Sequence, residues 1–160
     1  MQDEVLATIQ ASSPRRWVGV GMLSTVGALV TYVALASPPE PEWQVFLFAV
    51  GGASLWLAYR VWQATQDHIE LTQSDLRTGS GQVIAKVDDI ESVDRGAFAF
   101  KPSNGFLVRT KHKATKQWAP GLWWRIGHRV GVGGMTSAAE AKFMSEILSA
   151  IIHADDRRPH

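Results

Sequence analysis

Cysteine is absent from the 160 residues. That excludes disulfide staples, thiolate nucleophiles and Cys-ligated zinc or iron–sulfur sites, and says little about compartment. Charge is the next scarcity, and it is local. Across residues 17–59 the only charged side chains are Glu40 and Glu42, whereas the rest of the chain has the charge density of a soluble domain. Averages of 46% hydrophobic and 19% charged residues therefore conceal two unlike parts. A purely soluble protein and a mostly buried multi-pass one are both excluded. Motifs of chemistry are lacking too. His68, His112, His128, His153 and His160 form no HExxH and no i,i+4 pair, and there is no GxSxG and no Walker A lysine loop. The glycines of residues 131–134 lack the partners of a phosphate cradle and read as a corner between strand and helix. Asp88, Asp89 and Glu91 read as the solvent side of a strand. No catalytic residue, metal ligand or cofactor is expected, and no enzyme.

What is present begins with two apolar runs. Residues 17–36 carry no charge, and at 1.5 Å per residue they span about 30 Å, the thickness of a bilayer's hydrocarbon core. Residues 43–62 form a second run, with Arg60 placed to snorkel. The intervening residues 37–42 hold three prolines, which predicts a tight external loop. Burial inside a soluble core would need more surrounding protein than the remaining chain supplies. The expected arrangement is a transmembrane helical hairpin after a cytoplasmic segment, residues 1–16. Arg15 and Arg16 precede the first span, and the loop has no Lys or Arg. The positive-inside rule then places both termini in the cytoplasm and residues 38–42 outside. Residues 34–36 resemble a signal-peptidase site and residues 14–17 a twin-arginine signal. The acidic start at Asp3 and Glu4 and the long apolar run favour retention. Gly19, Gly21, Ser24, Gly27 and Ala28 in one span, with Ala49, Gly51, Gly52, Ala53 and Ser54 in the other, are candidates for close helix packing, within the hairpin or against partner helices.

Residues 63–160 suffice for one small domain. Short alternating segments predict strands at 68–72, 76–78, 82–87, 90–93, 96–101, 106–111, 117–119, 122–126 and 129–132, with turns at 79–81, 102–105 and 112–116. Phe143, Met144, Ile147, Leu148, Ile151 and Ile152 recur at helical spacing after Ser137 and Glu140, which fit a capping box. An antiparallel sheet capped by a helix at about 137–153 follows, making an α+β membrane protein.

Strands followed by one C-terminal helix resemble the pleckstrin-homology-like (PH-like) barrel. Residues 69–72, 76–77, 81–84 and 90–93 resemble the opening hairpin of bacterial PH-like domains, which are often tethered to a two-helix anchor. Residues 98–106 and 118–125 are similar to those of small alphaproteobacterial membrane proteins. The resemblance implies a PH-like barrel or sandwich and an anchor, and it brings no catalytic motif. The basic first hairpin loop of phosphoinositide-binding PH domains is replaced here by Gly79-Ser80-Gly81, so that binding is not carried over.

Charge is uneven along the domain. Residues 67–94 carry seven acidic and two basic residues, and residues 95–139 carry eight basic ones and no acidic one. The basic set is Arg95, Lys101, Arg109, Lys111, Lys113, Lys116, Arg125 and Arg129. Three readings fit: docking on anionic headgroups, pairing with an acidic partner, or complementary strands across the sheet. Nucleic acid fits poorly with a net charge of +1 on a tethered domain. Trp118, Trp123 and Trp124 add aromatic candidates. Adjacent strand residues face opposite ways, so one of Trp123 and Trp124 belongs in the core and the other at a surface. The expected protein is a membrane accessory or scaffold docked on other integral-membrane proteins, for which a respiratory or photosynthetic complex would be a suitable host. The alternative is a tethered lipid-headgroup sensor.

Overall fold

The computed structural model describes residues 3–96 and 102–157, and separates the chain into residues 13–63 and the remainder. In the first unit, α1 (Ser13–Ala36) and α2 (Pro41–Ala64) are 24 residues each, about 36 Å long. Both exceed the predicted spans at their N-terminal ends, because Pro14 and Pro41 sit in the first turn, where a missing N–H removes no helical bond. The loop between them is correspondingly shorter than residues 37–42. Gly27 and Gly51 make the seam between the helices. A Cβ on Gly27 would lie 2.7 Å from Leu55 Cγ and 3.1 Å from the Gly51 carbonyl oxygen, and one on Gly51 would strike Thr31 Oγ1. Trp17 and Trp62 meet edge-to-face at 5.1 Å between centroids, with the Arg16 guanidinium over Trp62. Only 11% of the apolar window of α1 and 17% of that of α2 is buried, whereas a soluble core helix would be mostly buried. These are two helices long and apolar enough to cross a membrane.

The second unit holds two antiparallel sheets and a helix. Strands β1 (Ala7–Gln10), β2 (His68–Leu71), β3 (Asp75–Thr78) and β4 (Val83–Lys86) form one sheet in that order. A 3₁₀ turn at Val87–Asp89 leads to β5 (Ile90–Asp94), β6 (Phe106–Ala119) and β7 (Trp123–Val132), the second sheet. Helix α3 (Ala138–Asp156) closes the order. Neither sheet closes on itself among the described residues, so a barrel is not formed by continuous pairing.

The N-terminal segment is corrected first. Residues 7–10 are not a detached lead-in to the membrane but a core strand, paired Ala7 with Leu71 through Gln10 with His68. The sequence signal is four residues long, and its partner lies beyond the helical hairpin. Ala7 and Ile9 bury their side chains with Ile69, Leu71, Leu76, Phe106, Met144 and Leu148. Gly79-Ser80-Gly81 joins β3 to β4 and is not the first hairpin loop, because the β2–β3 hairpin with its turn at 72–74 precedes it.

Strand β6 brings a second correction. The expected turn at residues 112–116 is continuous strand. Over the same ladder β6 uses 14 residues and β7 uses 10, so four residues of β6 bulge outward, with register shifts on both sides of Ala114. Gly127, opposite Ala114 and at φ 60°, lets β7 bend where a turn was expected. The hairpin thus folds over, bringing Leu122 O to accept from Gly133 N–H at 2.9 Å. The turn at 102–105 is present, with Asn104 at φ 54°, but the strand expected at 96–101 falls largely outside the described residues.

Helix α3 buries Ala141, Met144, Ser145 and Leu148, an i, i+3, i+4, i+7 face. Phe143 is 57% exposed, one position off that face. No capping box forms. Ser137 makes no side-chain cap, and Glu140 Oε2 instead accepts the Gln10 N–H at 3.0 Å, tying α3 to β1.

Because Ile9 is fully buried, Ile9→Ala is expected to destabilise the soluble unit by about 2–5 kcal/mol. Deletion of residues 1–11 should abolish its cooperative unfolding in detergent, as followed by denaturant titration. Wild-type stability in either variant would make β1 dispensable.

Candidate functional site

The basic residues grouped by sequence are divided by the fold. Arg125 is structural. Its Nε donates to Thr115 O at 3.0 Å, Nη1 to Ile84 O at 2.8 Å and Nη2 to Gln117 Oε1 at 3.1 Å, pinning the bent hairpin against β4. Lys111 Nζ donates to Asp88 O at 2.9 Å, and beside it His112 Nδ1 lies 2.5 Å from Asp89 Oδ1. Arg95 reaches Glu146 at 3.5 Å. Lys111 and Arg125 thus bond to carbonyl and amide oxygens, and the carboxylate that Arg95 meets lies on α3 and not on an acidic strand. Lys101 lies outside the described residues.

Arg109, Arg129, Lys113 and Lys116 are exposed and make no ion pair among the described residues. Arg109 and Arg129 are direct cross-strand partners, with Ser92 on the other side of Arg109. Like charges placed directly opposite on a sheet repel.

The tryptophans separate as alternation requires. Trp123 is 3% exposed and belongs to the core. Trp124 points the other way, opposite Trp118, and its indole lies on Gly131, where any Cβ would collide with it. Gly131 is two residues from Arg129 and so shares its face. Trp118 is 49% and Ile126 53% exposed. Two rings, an aliphatic side chain and unpaired cations therefore share the outer surface of β6 and β7.

Acidic groups collect elsewhere. An open groove of about 970 Å³ runs between the end of α3, Leu6 and the 3₁₀ turn, with Asp75, Asp88, Glu91, Asp155 and Asp156 around Lys86 and Lys111. Among the described residues, no three His, Cys, Asp or Glu side chains are arranged to hold a metal ion. On β2, Glu70 meets His68 Nε2 at 2.9 Å and accepts from Arg77 Nε at 3.2 Å. The His68 hydrogen bond, aided by Arg77 against desolvation, holds the Glu70 carboxyl below the usual carboxylate range. Sequence reading passed over this trio because its members sit on two strands whose register was unknown. The glycines at 121, 127 and 131, which shape the cationic face, were also invisible as site residues.

Of the small helix residues, Gly27 and Gly51 are consumed by the hairpin seam. Gly21, Ala28, Ala49, Gly52 and Ala53 remain exposed, and a Cβ on Gly21 or Gly52 would meet nothing within 4 Å. Gly19, Ser24 and Ser54 are half-buried.

No protein family, curated protein or solved structure matches the chain.

A lowered carboxyl pKa stabilises the fold above the ordinary carboxylate pKa of about 4.3, and that stabilisation is lost as pH falls through the lowered value. Glu70→Gln should therefore destabilise the protein by about 1 kcal/mol at neutral pH. The difference from wild type should vanish in denaturant titrations at acid pH. A difference independent of pH would assign Glu70 a packing role only.

Proposed function

We propose that the protein is a non-enzymatic accessory or scaffolding component of a bacterial inner membrane, with both termini cytoplasmic, which docks through its helical hairpin onto a larger integral-membrane complex. The observation that carries the reading is the hairpin's outer surface. After the Gly27–Gly51 seam forms, α1 still offers Gly21 and Ala28, and α2 offers Ala49, Gly52 and Ala53 one helical turn apart. Small residues let a neighbouring helix backbone approach closely, and van der Waals packing is what holds helices together in lipid.

The pairing of β1 with β2 supports a common side for the segments before α1 and after α2. Strands flanking a two-helix hairpin can only pair if the chain returns to the side it left. The loop without Lys or Arg supports assigning that side to the cytoplasm. A four-stranded and a three-stranded sheet followed by one helix support the PH-like reading of the soluble unit, with the membrane hairpin as an insertion after its first strand. A surface of cations and rings without a convergent acid–base group favours binding over chemistry.

The test is gentle detergent extraction followed by blue-native electrophoresis and mass spectrometry of the co-migrating band. Wild type should run with a large complex. Gly52→Leu, in open space, should release it as a small folded species, by a contact loss of about 1–3 kcal/mol. Gly51→Leu should instead disrupt the hairpin itself. Migration of wild type solely as a small species would overturn the docking reading. Reporter fusions after His160 give the orientation: a cytoplasm-active reporter should give signal and a periplasm-active one none.

A further inference from the structure

We propose that the outer face of the bent β6–β7 hairpin rests on an anionic phospholipid surface, next to the points where the chain enters and leaves its helical hairpin. The inference rests on the reading that α1 and α2 span a membrane.

Charge is the first support. Arg109 and Arg129 oppose each other with Ser92 as the next neighbour, and no carboxylate stands on that row. The repulsion between them becomes attraction when phosphates lie across the face. Aromatic placement is the second. Trp118 pairs with Trp124, whose ring lies on Gly131, on the same face as Arg129. Ile126 follows Trp124 by two residues and so shares that side of the ladder, and the exposed Lys116 stands at the register shift just before it. Amphipathic rings beside cations suit the headgroup region, where the ring is half immersed and the charge stays hydrated.

Position is the third support, and it selects lipid over an acidic protein. Gly121, three residues past Trp118, lies against Thr65: a Cβ there would come within 3.1 Å of Thr65 Cγ2. Thr65 is the first residue after α2. Met135 N–H donates to Gly121 O at 2.9 Å, and Met135 O accepts from Ser12 N–H at 2.7 Å, with Ser12 immediately before α1. Residues one step from a spanning helix lie within about 3.8 Å of it by chain geometry. The turn next to Trp118 thus packs on Thr65 and, through Met135, bonds to Ser12, the two residues that adjoin the helices.

The chain has no cysteine, so single cysteines report cleanly. Full-length protein is reconstituted in phosphatidylcholine vesicles with or without phosphatidylglycerol and treated with a water-soluble maleimide. Ile126→Cys should react roughly 25-fold more slowly with phosphatidylglycerol present, since Arg109 and Arg129 at an anionic surface contribute a factor of about five each. Arg109→Gln with Arg129→Gln, which removes the like-charge contact without straining the fold, should restore the faster rate, as should high salt. Ala150→Cys, on the exposed side of α3, should react equally in both vesicles. Ala53→Cys, midway along α2, should stay unreactive in both. Equal rates at Ile126→Cys with Ala53→Cys protected would overturn the lipid contact and leave the hairpin reading standing. Protection that survives charge removal would also overturn it. A reactive Ala53→Cys would overturn the spanning reading, and the lipid contact with it.

Discussion

Four residues of strand pairing join the chain on the two sides of its helical hairpin. Gln10 lies beside His68 and Ala7 beside Leu71, although residues 11–67 intervene. Closing so long a loop costs only a few kcal/mol more than closing a short one, because the entropy grows with the logarithm of length. A helical hairpin reduces the cost further by returning the chain near its starting point. The ladder then places Ile9 in the core, and the Gln10 N–H reaches Glu140 on α3. The strand, the sheet and the capping helix are mutually dependent, so the soluble unit is completed only after both helices have been made.

The same closure explains the chemistry of the junction. Ser12 and Thr65 adjoin the apolar helices yet are themselves held by soluble-unit groups, Met135 O for one and the Gly121 turn for the other. Ser12 and Thr65 are thereby part of the compact unit that contains the sheets, and not a free linker.

Much of the architecture was readable because it rests on local patterns. Two long apolar runs gave the helices, since about twenty such residues in a row have few other uses. Alternation gave β2 to β5, and the 3.6-residue period gave α3. What escaped was set by distant partners. Residues 7–10 are ordinary until Leu71 stands opposite them. The lysine-rich segment at 111–116 looks like a turn because turns and bulges share composition, and only the ten-residue length of β7 makes it a bulge. Glu140 has capping-box spacing, but its carboxylate accepts the Gln10 N–H at the end of β1 and not a donor of its own helix end. Among the candidate site residues, charge sign alone could not separate Arg125, which bonds two carbonyls and an amide, from Arg129, which bonds nothing among the described residues.

The bend in β6 and β7 links core to surface. A straight hairpin would carry Trp118 and Trp124 beyond the sheet, with nothing behind them. Gly127 supplies the positive φ for the corner, and the four extra residues of β6 lengthen the outer edge, as the longer path around a bend requires. Arg125 locks the folded tip to Ile84 O on β4. Trp123 then faces inward to fill the core between the sheets, and the next residue must face outward. Burial of one ring therefore obliges display of the other, and Gly131 leaves the space for it to lie flat. The cationic and aromatic surface follows from how the two sheets are joined, and any substitution that straightens the hairpin would remove core and surface together.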